Sequence, residues 1–159
     1  MSGITEVTQT DPVAWLKHDH QIIRGYLETL ARSSIADGRS TFEELKKLLS
    51  LHNAIEENLV YPTIAKVVGR QDQAMELFHE TAEADILVFS LSQAAKRDDD
   101  DTFKAGLAQL TSAILAHVQL EETQAFPALE SAPPAVLESL ASDIVTFTNS
   151  VTTPLRIAN

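Results

Sequence analysis

Cysteine is absent from this 159-residue sequence, which removes disulfides, thiolate zinc sites, iron–sulfur clusters and thiol catalysis at once. Glycine and proline are scarce, at 5 and 6 residues. They fall between long periodic stretches, which favours helices throughout. Lys and Arg number 12 against 23 Asp and Glu, for a net charge of −11. Such a chain lacks the basic surface needed to neutralise phosphates, so nucleic acid is excluded as a partner. No apolar run approaches the length of a membrane span. The opening MSGITEVTQTDP has neither a basic n-region nor an apolar h-region, so no signal peptide is expected and a cytoplasmic protein is. Acidity has a second meaning: carboxylates hold cations.

The length suits one domain over 1–159 and is short for two. Thr10-Asp11-Pro12 is an N-cap signal with proline in the first turn, and the helix it opens is expected to fade near Ala36-Asp37-Gly38. A second helix follows Ser40-Thr41, each with a Glu three residues on, and runs to about Val68-Gly69 with a bend at Pro62. The third spans about Asp72 to Arg97. Asp98–Asp101 reads as a solvated turn and dipole partner for the fourth helix, about 102–126. A fifth, shorter helix follows Pro133-Pro134, about 134–150, leaving 152–159 as tail. The expected fold is therefore all-α: an up-down-up-down four-helix bundle over about 12–130, with an additional C-terminal helix.

Each long helix carries an apolar stripe at three-four spacing, interrupted near its middle by polar residues. The first gives Leu16, His20, Ile23, Leu27 and Leu30, and the second Leu45, Leu49, His52, Glu56 and Leu59. In the third the stripe is Met75, His79, Glu83, Ile86 and Phe89, and in the fourth Leu107, Leu110, Ile114, His117 and Glu121. Residues four apart share a helix face. His52 with Glu56, His79 with Glu83, and His117 with Glu121 are thus expected to present an imidazole and a carboxylate inward, with His20 as a fourth imidazole. Buried carboxylates need a compensating cation. Imidazole with carboxylate suits iron, manganese or zinc, and these donors are too many for one ion but about right for two. His18 falls off the stripe and reads as surface or outer shell. One feature fits less well: His52 and His79 lie at unequal distances from Gly69, the turn between their helices.

HNAIEENLVYP at 52–62 and HVQLEETQAFP at 117–127 share the frame H-x-x-x-E-E-x-x-x-(Tyr/Phe)-Pro. With Asp19-His20 on the first helix, these segments resemble the hemerythrin-like (HHE cation-binding) family. Its pattern is a single His, then H-x-x-x-E, H-x-x-x-H and H-x-x-x-(D/E). The resemblance covers about residues 12–130. It implies two oxo- or hydroxo-bridged non-heme irons held by His20, His52, Glu56, His79, Glu83, His117 and Glu121, with Glu56 and Glu121 bridging and the aromatic-Pro pairs closing each helix beyond the site. A ferritin-like centre would need E-x-x-H on two helices, and only Glu76–His79 matches.

The third helix departs from the pattern, because Glu83 stands where the family has its second histidine. An added anion favours ferric iron, so the reading turns from reversible oxygen carriage toward reaction with, or sensing of, peroxide or dioxygen. The alternative is a sensor or carrier module binding O2, NO or iron without turnover. Tyr61, where the repeat has Phe126, reads as an amphipathic aromatic at the bundle end or else as a residue beside the metal. Glu57 and Glu122 read as solvated.

Overall fold

The computed structural model describes residues 11–152. Residues 1–10, and all of the expected tail except Thr152, lie outside the described residues. The helices are α1 (Pro12–Ala31), α2 (Ile35–Ile55), α3 (Tyr61–Lys66), α4 (Gln71–Lys96), α5 (Asp100–Leu120), α6 (Phe126–Glu130) and α7 (Pro134–Thr152). A π-helical turn, Glu56–Val60, joins α2 to α3, and another, Glu121–Ala125, joins α5 to α6. Five helical rods result, and the described residues contain no strand. None of these helices is long and apolar enough to cross a membrane.

Capping sets the boundaries. Asp11 accepts from the Ala14 N–H at 3.0 Å, with Pro12 opening α1, because proline lacks an N–H that this position does not use. Ser34 caps α2 by accepting from the Asp37 N–H at 3.2 Å. The first turn is therefore shorter than expected: α1 stops at Ala31, and Ala36-Asp37-Gly38 already belongs to α2. Gly38 serves close packing there, since a Cβ would lie 3.0 Å from Leu30 Cδ2 and 3.2 Å from Ser33 Cβ. The acidic run is more than a solvated turn. Asp99 caps α5 by accepting from the Thr102 N–H, Asp98 pairs with Arg39 at 2.7 Å, and Asp100 accepts from the Ile35 N–H.

The π turns correct the expectation that Pro62 and Pro127 close their helices. Pro62 has no N–H for the Asn58 carbonyl, and its ring would crowd that carbonyl. Widening the turn by one residue relieves both problems. The Tyr61 N–H then donates to the Glu56 carbonyl, and the Phe126 N–H to the Glu121 carbonyl. Each helix continues past its proline.

Neighbouring rods close on one another. α1 packs on α2 and α5, α4 on α5, α2 and α3, and α7 on α1, α2 and the first π turn. Two apolar clusters form inside. One gathers Ile23, Leu27, Leu45, Leu91, Leu110 and Ile114. The other gathers Leu16, Ile55, Ile64, Leu77, Phe126 and Leu129, with Leu140 and Ile144 of α7. Full burial of each such side chain contributes about 1.5–3 kcal/mol. The polar residues of α1, α2 and α5 lie between the two clusters.

Candidate metal centre

His20, His52, Glu56 and Glu121 are all buried, and each offers a ligand atom within 4.8 Å of the others. α2 brings His52 and Glu56 four residues apart, with Nε2 and Oε1 3.1 Å apart. α5 repeats this with His117 Nε2 and Glu121 Oε1, also at 3.1 Å. From α1, His20 Nε2 comes to 3.2 Å of Glu121 Oε2. The His20 ring meets the His52 ring edge-on at 5.0 Å, and Phe126 stacks beneath it at 5.7 Å.

Each carboxylate divides its oxygens between two groups. Glu56 Oε1 and Glu121 Oε2 face His52 and His20. Glu56 Oε2 and Glu121 Oε1 face His117 and Tyr61. On the first side, His20 Nε2, Glu56 Oε1 and Glu121 Oε2 approach closely yet have no aligned hydrogen-bond partner. Buried polar atoms are almost always paired. Buried lone-pair donors that are clustered and unpaired are what a cation needs, so these residues fit a metal ion.

Tyr61 sits at the second side, fully buried. Its hydroxyl is 2.9 Å from Glu56 Oε2, 2.8 Å from Glu121 Oε1 and 3.1 Å from His117 Nε2, with Thr81 Oγ1 at 3.4 Å. Of its two readings, the bundle-end aromatic does not hold: the phenol lies among the buried carboxylates. In an unbroken α-helix, residue 61 would lie about 140° around the axis from residue 56. The π turn brings the fifth residue back over the first, so the phenol joins the carboxylate face. Burial, then Glu56 and Glu121, push the Tyr61 phenol well above its ordinary value.

Outside the donors, every converging imidazole has a carboxylate on its Nδ1. His20 meets Glu122 at 2.8 Å, His52 meets Asp19 at 3.2 Å, and His117 meets Glu80 at 2.8 Å. Such partners fix the ring orientation and leave Nε2 free for a metal. Glu122 is therefore not solvated as expected. The sequence had offered Asp19 only as the neighbour of His20 in the family resemblance, with no role, and Glu80 not at all. Burial opposes charge on His52, but Glu56 and Asp19 outweigh it and raise its pKa to about 10. For His117 the same contest, won by Glu121 and Glu56, gives about 11. Conversely, His52 and His117 overcome the cost of burial and hold Glu56 well below the usual carboxylate range.

His79 and Glu83 lie elsewhere. Their side chains are 76% and 63% exposed and pair with each other at 3.2 Å. The whole expected stripe of the third helix faces outward, with Met75, Ile86 and Phe89 exposed. α4 instead turns Ala74, Leu77, Thr81 and Leu91 inward, and it meets the site through Thr81 and Glu80. His18 is exposed, as expected.

A cavity of about 30 Å³ adjoins the three imidazoles, walled by Ile23, Leu49, Val88, Ile114 and Val118. That volume admits a ligand of about two heavy atoms. Asn53 and Asp85, hydrogen-bonded at 3.2 Å, line both this cavity and the open groove between α2 and α4.

The sequence pattern of the hemerythrin HHE cation-binding domain matches residues 11–129. The chain belongs to that family. The match spans α1 to α6, including both π turns and every donor named above, and ends before α7. No curated protein and no solved structure matches this hemerythrin-family chain.

Proposed function

We infer that this protein is a non-heme di-iron protein that reacts with or senses peroxide or dioxygen, built as a single up-down-up-down bundle with α7 as an appendage. The carrying observation is the division of the Glu56 and Glu121 oxygens between two donor groups. One carboxylate oxygen per side suits bridging of two ions. His20 and His52 would hold one ion and His117 with Tyr61 the other. Bound iron would supply the redox chemistry, and the protein an adjoining apolar cavity for a small ligand.

The chain's own residues do the rest. Asp19, Glu80 and Glu122 hold the imidazoles in place through Nδ1. Ile23, Leu49, Val88, Ile114 and Val118 exclude bulk water and limit the ligand to the size of O2, H2O2 or NO. Tyr61 takes over the role first assigned to Glu83. With two ferrous ions and one hydroxide, Glu56 and Glu121 would leave a sum of +1, and Tyr61 would bring it to zero if the metal displaced its proton. The extra anion favours the ferric state and so supports oxidative chemistry over reversible oxygen carriage.

A second reading, a sensor without turnover, draws on α7, which packs against the π turn that carries Glu56. Metal analysis with an optical spectrum tests the centre itself. Two irons per chain with near-ultraviolet oxo-to-iron absorption are expected, and one metal per chain at saturation would overturn the reading. Peroxide consumption then separates the enzyme from the sensor.

A further inference from the structure

The outward face of α4 has a use that the metal centre does not give it. Met75, His79, Ala82, Ile86 and Phe89 follow alternating steps of four and three along this 26-residue helix. All five are exposed, Met75 at 62% and Ile86 and Phe89 at 66% each. Strict four-three alternation is the narrow seam by which one helix packs against another. α4 meets its own core with a different set of residues, so this seam is a second apolar face. Half of the six large hydrophobics exposed among the described residues lie on it.

The same alternation continues to the ends of the helix. Asp72 precedes Met75 by three residues, and Lys96 follows Gln93 by three; both charges are exposed. The seam thus ends in a negative charge at the N-terminus of α4 and a positive one at its C-terminus, equally far from the middle.

We propose that two copies of this chain pair through α4, antiparallel about a twofold axis. In this register Asp72 of each copy faces Lys96 of the other. Met75 then faces Gln93, His79 faces Phe89, and small Ala82 receives Ile86. A parallel pair would set Asp72 against Asp72 and Lys96 against Lys96. The antiparallel pair is self-complementary and closed, so each contact is made twice and no further copy is recruited. A second copy is favoured over a foreign helix because the seam's two ends complement each other. Net charge of −11 per chain opposes the pairing, so it is reversible and concentration-dependent. Exposed Glu83 and Asp85, on either side of the axis, add to that opposition.

Sedimentation of the full chain across a concentration series tests this directly. The expected mass rises to twice that of one chain. Ile86→Glu and Phe89→Glu are each expected to hold the protein at one chain mass, with helical circular dichroism and metal content unchanged, since both positions are exposed. Asp72→Lys is expected to weaken association about tenfold, because two end pairs turn from attraction to repulsion. Adding Lys96→Asp should restore it. A single-chain mass at the highest soluble concentration would overturn the proposal. So would a dimer that survives both glutamate variants, or a charge swap that fails to restore pairing.

Discussion

The hydroxyl of Tyr61 lies 2.9 Å from Glu56 and 2.8 Å from Glu121, so one phenol joins the two carboxylates supplied by different helices. It has a single proton to give, and in the metal-free site the two carboxylates share it. Burial and the two carboxylates keep that proton on the oxygen at neutral pH. A metal ion on this side would compete for it.

Tyr61→Phe removes the shared donor. In metal-free protein Glu121 Oε1 keeps His117 at 3.1 Å, but Glu56 Oε2 is left with that ring only at 4.0 Å, and the loss is expected to destabilise by about 1–3 kcal/mol. Thermal unfolding measures this, as a drop of several degrees. In iron-loaded protein, any visible phenolate-to-iron absorption should vanish while the His20 and His52 side still binds. Unchanged spectra and melting would show that Tyr61 is not part of the centre.

Asp19→Asn, Glu80→Gln and Glu122→Gln each weaken the anchor of one imidazole without touching a donor atom. Changes of this kind cost roughly 10–100-fold in metal affinity. Competition with a chelator checks it, and the His52→Ala and His117→Ala variants, expected to lose metal outright, set the scale. Wild-type affinity in all three anchor variants would mean that the rings are held by packing alone.

His79→Ala and Glu83→Gln give the opposite expectation. Both side chains are largely exposed, so iron content should be unchanged and stability should move within about 0.5 kcal/mol. Loss of iron in either variant would put α4 in the wrong rotation about its axis.

The pH dependence of the metal-free protein follows from the imidazoles. His52 and His117 are raised to about 10 and about 11 in the folded state, above the unfolded value of about 6.5. Their contribution is fully present below about 6.5, declines as pH rises, and is gone above the folded values. Glu56 is lowered, so its contribution is present above the ordinary carboxylate range and lost as pH falls below it. Metal-free protein should thus melt highest near neutral to mildly acid pH and lose stability toward pH 10–11. Iron should raise the melting temperature by binding only the folded state, most clearly on the alkaline side, where no imidazolium has to be displaced. A flat alkaline profile would show that the two imidazoles are not charged in the empty site.

Local chemistry decided much of this protein before any packing. His52 with Glu56 and His117 with Glu121 share a face because helix geometry puts residues four apart together. Pro62 and Pro127 perturb both helices at the same place in the repeated frame, because neither can donate to the turn before it. The rotation of α4 was a different matter. Met75, Ile86 and Phe89 face outward, while Ala74, Leu77, Thr81, Leu91 and Ala95 are turned inward. Both faces carry apolar residues at helical spacing, and the His79–Glu83 pair drew the expectation to the outer one. The mismatch of His52 and His79 about Gly69, and Glu83 in place of the family's second histidine, were the sequence's signs of it. Asp19, Glu80, Glu122 and the Tyr61 hydroxyl acquire their roles only across helices, from residues far away in the chain. One sequence fixes which side chains share a helix face, but only the packed bundle fixes which face meets which.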